Sequence, residues 1–500
     1  MVNRANILWI VLDTQRADAL APYRLGDPEP ITPHLGAWAE KATVYERAIA
    51  PAQWTIPSHA SMMTGEYPST HQVLQADQAL DPAYPTVAEV LRSRGYATVG
   101  FCNNPLVGIL NHGLRRGFET FYNYGGIIPS RPAAGSRFPW ARWWESYTQF
   151  WRRLSYPVQN AFARSDFLFQ LSLQPWLAAV WAGLANFKGN TAQCLQDVSH
   201  YLLRASQGEQ PFFVFVNLME THLPYRPPQP FIDRFAPYFR QDRQARDFLR
   251  QYNREPYRWM APLPDPLTER EAQILRDIYW AETSYQDHLL AQVFRTLEET
   301  GLTDTTLVVI CADHGEGLGE HDFVGHAFVV YEELIRVPLI LRTPAQRQGS
   351  RMAAPVSTRR LFHTFLDAAG IPQPLSLLQD RDPEAGTVLS EAFPPKILIR
   401  AMEQRLDRLL QERQCYAVRR ALYQGLLKLV QTGSQAALFD LGQDPQEVQG
   451  SPTIPPSLQR VLEEVVATAL TQQRSPGMSN PQWDENADLV RRMQELGYLE

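Results

Sequence analysis

The 500-residue chain is short of cysteine, and the four it has, Cys102, Cys194, Cys311 and Cys415, stand far apart. They form no CxxC pair and no zinc-type spacing, so neither a disulfide framework nor a thiolate zinc site is expected. A long apolar run is missing too. The hydrophobic opening stretch Asn6–Leu12 is too short to span a bilayer and lacks a small-residue cleavage site. A buried strand is expected there, and a cytoplasmic location for the protein. Positive charge is not in excess. With 47 Lys and Arg against 53 Asp and Glu, the net charge is −6, which argues against a dedicated nucleic-acid binder. Nucleotide loops are also lacking. No GxxxxGK[ST] occurs, and Gly315-x-Gly317 is followed by Glu320 where a third glycine would be needed. Acidic residues in that loop would repel a pyrophosphate.

What is present is ordinary globular composition, 44% hydrophobic and 20% charged. Short apolar runs alternate with helical patterns, which predicts an α/β fold built on a large, mostly parallel sheet flanked by helices. The runs are Ile7–Leu12, Ala97–Phe101, Pro211–Val216, Thr306–Ile310 and Val337–Leu341. Thr86–Arg94 reads as a helix stopped by Gly95, and Glu269–Glu299 as a long amphipathic helix ending at Gly301. Four of the runs lead into polar residues: Asp13, Asn103-Asn104, Asn217 through His222, and Asp313-His314. One aspartate after a strand is usually a helix cap. Four polar endings together point to a site, because open parallel sheets bind ligands outside the carboxyl ends of their strands.

Two segments carry chemistry. In Cys311-Ala-Asp-His-Gly-Glu-Gly, a carboxylate and an imidazole leave a strand side by side, a pairing suited to a divalent cation. In Thr55-Ile-Pro-Ser-His-Ala-Ser-Met-Met-Thr-Gly65, Pro57 fits the first turn of a helix that Gly65 ends. That places Thr55 at a helix N-terminus, where free amides and the dipole favour an anion. Taken alone, Thr55 reads as an N-cap. Beside a metal site it reads as a nucleophile, since a cation on its oxygen favours the alkoxide.

The chain resembles the sulfatase family of the alkaline phosphatase superfamily over most of its length. The resemblance rests on Asn6–Asp18, Thr32-Pro-His-Leu35, Thr55-x-Pro57-Ser58-His59 with Thr64-Gly65, and Arg116-Gly-Phe118. It continues through His222-x-Pro224-Tyr225, Asp313-His314-Gly315, Tyr331-Glu332, Arg336-Val-Pro338, Leu438–Leu441 and Asp444-Pro445. It implies a sulfatase-like α/β catalytic domain over 1–375, a smaller C-terminal α+β subdomain over 376–460 and a helical tail over 461–500. By position, Asp13, Thr55, Asp313 and His314 would surround the metal. Thr55, His59, His222 and His326 would form the catalytic set, with His222 and His326 contacting the oxyanion of a sulfate or phosphate group. One metal ion is expected, Mn²⁺ in preference to Ca²⁺, Mg²⁺ or Zn²⁺. A second would draw on His222, His321 or His326.

Three departures from the family pattern shape the expected chemistry, one being Thr14 after Asp13, where many sulfatases supply a second aspartate ligand. Thr55 stands where the family carries the Cys or Ser converted to formylglycine, and its β-methyl leaves no route to an aldehyde. His59 replaces the signature arginine. The expectation is thus a metal-dependent hydrolase of sulfate, phosphate or phosphonate esters without formylglycine, acting through a covalent threonine intermediate. The competing readings are a phosphoethanolamine- or phosphoglycerol-type transferase acting on lipid head groups, and a non-catalytic binding protein. Segment 125–195 is rich in tryptophan with interleaved arginine. It reads as a helical insertion that offers a substrate lid, a peripheral membrane contact or an oligomer interface. The expected partner is a small-molecule or lipid-linked anionic ester, and no nucleic acid.

Overall fold

The computed structural model describes residues 4–75, 78–110, 112–125, 132, 188–254 and 262–473. Most of the expected 125–195 insertion and the end of the expected tail lie outside those residues.

Eight strands build the main sheet: β1 (Asn6–Leu12), β2 (Thr43–Tyr45), β3 (Ala97–Cys102), β4 (Thr120–Asn123), β5 (Phe212–Leu218), β6 (Thr306–Cys311), β7 (Leu339–Arg342) and β8 (Ser350–Met352). Their order is β8-β2-β7-β6-β1-β5-β3-β4, and β7 alone runs antiparallel to its neighbours. The apolar runs are continuous because both faces of the sheet are covered. Trp9, Val11, Phe213, Phe215 and Val309 pack on one face with Ile56, Ala60 and Met63 of helix α1 (Thr55–Thr64). Leu8, Ile10, Val214, Val308 and Ile310 pack on the other with helix α2 (Thr191–Ala205) and helix α3 (Glu269–Glu299).

Pro338 divides the expected Val337–Leu341 strand. Arg336–Val337 pairs with Ala48–Ile49 in a separate three-stranded sheet, and Leu339 begins β7. A proline cannot donate to a ladder, so the chain changes sheets there.

A second sheet of four antiparallel strands runs from Thr387 to Asp440. One face packs through Ala421, Tyr423 and Phe439 against Phe323, Phe328 and Ile335 of the main body. The other face meets the helix Pro456–Thr471 through Leu422, Leu429, Leu458 and Leu462.

Candidate active site

The central strands end level with one another. Val11 is in register with both Asn217 and Cys311, and Asn217 is in register with Cys102. Being parallel, these four strands discharge the polar residues that follow them onto one sheet edge. Asp13, directly after β1, and Asp313, two residues after β6, are fully buried there. Helix α1 presents its first residue, Thr55, to the same edge and ends at Gly65, whose φ of +80° suits a glycine C-cap.

The inner geometry is compact. Thr55 Oγ1 lies 3.2 Å from His314 Nε2. His314 Nδ1 donates to Gly315 O at 2.9 Å, which leaves the Nε2 lone pair facing the site. From that nitrogen, Asp313 Oδ2 is 3.4 Å away and Asp13 Oδ1 is 3.9 Å away. Neither carboxylate oxygen has a hydrogen-bond partner, and both are buried. The remaining oxygens are held. Asp313 Oδ1 accepts from the amides of His314 at 3.0 Å and Thr14 at 3.4 Å, and Asp13 Oδ2 accepts from Asn104 Nδ2. Gly315 is required beside this pair, since a Cβ there would sit 2.0 Å from the Glu333 carbonyl oxygen.

Two buried carboxylates that each turn an unpartnered oxygen toward one lone-pair nitrogen fit a divalent cation. Without a cation, burial pushes Asp13 up to about 6, against the pull of the Asn104 amide and the charge on His326. Burial and the neighbouring Asp13 charge push Asp313 well above the usual carboxylate range.

Two further imidazoles line up with His314 beyond the cation cradle. The His326 ring is 4.5 Å from that of His314 and 5.1 Å from that of His222. His326 Nδ1 contacts Glu316 Oε1 at 3.0 Å. Burial works against charging His326, but the Glu316 carboxylate outweighs it and holds its pKa above the ordinary value. The other two go the opposite way. Burial and the positive His326 hold both His222 and His314 well below the usual histidine range. His59 borders the cradle: Nδ1 donates to Thr55 O at 2.9 Å and lies 3.4 Å from Asp313 Oδ2, and Nε2 lies 3.3 Å from Asn217 Nδ2. Burial pushes its pKa down to about 4.

His321 does not join this cradle. It stacks on Tyr331 at 3.8 Å and lies with Glu333 and Glu447 at the junction with the second sheet. Lys428 already sits 2.7 Å from Glu447 there, so the group reads as part of an ion-pair cluster.

Several participants escaped the sequence reading. Asn104 and Asn217 were visible as amides after strands, yet nothing local assigned them to Asp13 and His59. Lys188 fell inside the tryptophan-rich segment. Its ammonium donates to Glu220 O at 2.7 Å and Glu282 Oε1 at 2.8 Å, pinning the turn that presents His222. Thr14 carries a φ of +58°, a conformation that costs a β-branched residue about 1–3 kcal/mol.

The family model described as Sulfatase matches residues 5–371. The chain belongs to the sulfatase family. An ulvan-active sulfatase of Formosa agariphila is 23% identical over 405 residues, covering 76% of this chain and 66% of the relative. A choline-sulfatase of Rhizobium meliloti is 23% identical over 362 residues, covering 68% and 63%. The chain thus spans two thirds or less of the length of these sulfatases. The solved structure of a phosphonate monoester hydrolase from Silicibacter pomeroyi shares the fold, with a TM-score of 0.65, 22% identity, and 94% and 96% coverage. No helix among the described residues of this sulfatase-family chain is long and apolar enough to cross a membrane.

Proposed function

We propose that the chain is a cation-dependent hydrolase of sulfate, phosphate or phosphonate esters with Thr55 as its nucleophile. One observation carries the reading: the Thr55 hydroxyl stands 3.2 Å from the lone-pair nitrogen of a cradle whose two aspartates turn unpartnered oxygens inward. Asp13, Asp313 and His314 would hold the cation, and their oxygen, oxygen and nitrogen donors suit Mn²⁺. When bound, it would neutralise charge on the ester and favour the Thr55 alkoxide.

The chain's own residues account for the rest. Thr55 gives its proton to solvent and attacks sulfur or phosphorus in line, its Oγ1 bond forming as the bond to the alcohol oxygen breaks, and the departing alkoxide takes up a proton from solvent. The N-terminus of α1 and the charged His326 favour the anionic group during transfer, and His222 contacts it from the adjoining turn. Water then cleaves the sulfo- or phospho-threonine and restores the hydroxyl. His59 acts from behind, bonding the Thr55 carbonyl and so fixing the first turn of the helix. The family relatives act on sulfate esters by name and the structural neighbour on phosphonate monoesters, so both classes are carried as candidates.

The test is a matched set of aryl sulfate, phosphate monoester, phosphodiester and phosphonate substrates assayed with Mn²⁺, with and without a chelator. Chelator-sensitive turnover of at least one class is expected. No turnover of any, with no Mn²⁺ bound to the purified protein, would leave the binding-protein reading standing.

A further inference from the structure

Thr14 follows Asp13 directly, holds a left-handed φ of +58°, and donates its amide to Asp313 Oδ1 at 3.4 Å. One backbone conformation therefore ties the residue after the first aspartate to the second. A β-branched residue does not hold that conformation unaided. Locally the Gln15 amide donates to Leu12 O at 3.2 Å and the Thr14 hydroxyl to Asp13 O at 2.6 Å, and further support comes from helix α3. The Tyr279 hydroxyl donates to Thr14 O at 2.7 Å and accepts from the Arg16 amide at 2.8 Å. One buried oxygen thus brackets the strained turn on both sides, and Tyr279 is fully buried. Gln286, further along the same helix, donates to the Gln15 side chain at 3.2 Å. Arg16 closes the far end, donating to Glu316 O at 3.2 Å and to Glu320 at 2.6 Å.

We infer that Tyr279 is a positioning residue for the cation cradle: its hydroxyl locks Thr14 in the left-handed conformation that braces Asp313 against Asp13. The inference rests on the cation reading above. Removing the hydroxyl leaves the Thr14 carbonyl and the Arg16 amide without their partner, and residue 14 relaxes toward negative φ. Its amide then swings away from Asp313, and the two aspartates lose their common aim. Glycine at position 14 would change the outcome, because it adopts positive φ without steric cost and needs no lock.

The experiment is a double-mutant cycle read by Mn²⁺ affinity through chelator competition, with circular dichroism to check folding. Tyr279→Phe in the otherwise unaltered chain is expected to weaken Mn²⁺ binding roughly 10-fold or more, the size typical of outer-shell supports. In a Thr14→Gly background the same change is expected to cost less than about threefold, since the lock is no longer needed. Equal losses in both backgrounds would overturn the inference, as would no loss in either. If Tyr279→Phe does not fold, folding and Mn²⁺ binding of Tyr279→Phe with Thr14→Gly would support it, and failure of both would overturn it. An unaltered chain that binds no Mn²⁺ would instead overturn the cation reading itself.

Discussion

Thr55 Oγ1 and His314 Nε2 stand 3.2 Å apart although 259 positions separate them in the chain. The helix that starts at Thr55 and the strand that ends before Asp313 meet at one sheet edge. The first prediction follows from that contact. Thr55→Ala should lower kcat on the order of 10³-fold or more while Mn²⁺ affinity changes little, because the two aspartates and His314 remain. Steady-state kinetics beside Mn²⁺ titration checks it. A variant with near-full turnover would rule out the covalent route.

Asp313→Asn should act in opposite directions with and without metal. In the cation-free protein burial pushes Asp13 up to about 6 and, with the Asp13 charge, holds Asp313 well above the usual carboxylate range, so both lie above the unfolded value of 3.8. The folded state therefore binds these protons more tightly. Stability from them is full below pH 3.8 and is lost as pH rises through about 6 and beyond. Replacing one carboxylate with a neutral amide removes the repulsion. The variant should melt higher than the unaltered chain at pH 8 in chelator, and lower than it in saturating Mn²⁺. Equal melting temperatures in chelator would contradict this.

His326 gives the activity its expected alkaline limit. Glu316 holds the His326 pKa above its ordinary value, so kcat/KM should persist past the pH at which a free imidazole loses its charge and fall as His326 deprotonates. Glu316→Gln should move that limb to lower pH. His326→Lys, which keeps its charge to higher pH, should move it upward. The measurement is the pH profile of kcat/KM, and a limb indifferent to both substitutions would remove His326 from the oxyanion site.

Glu333, beside the catalytic loop, predicts a pH effect on stability alone. Burial and the nearby Glu320 charge push it up to about 8, with Arg16 pulling the other way. Its contribution is present below the unfolded value of 4.5 and is lost as pH rises through about 8. Glu333→Gln should therefore flatten the fall in melting temperature between those limits. If the two curves stay parallel across the range, Glu333 does not titrate in this way.

Much of the architecture could be read locally. Continuous apolar runs marked strands buried on both faces, and polar residues after four of them marked a sheet edge carrying a site. Pro57 and Gly65 bounded the helix that Thr55 begins, while the aspartate-histidine pair announced cation chemistry. These are properties of neighbouring residues, set by backbone period, φ preference and side-chain donor type.

The tertiary structure decided which of those features meet. Strand order β6-β1-β5-β3 brings Asp313, Asp13, Asn217 and Asn104 to one level, and no local pattern encodes which strand neighbours which. Glu316 charges His326 only because a reversing loop returns one to the other. Tyr279 reads in sequence as one more apolar position on a long helix. Its role depends on a hydroxyl reaching Thr14 across 265 positions, a contact fixed by how the helix docks on the sheet.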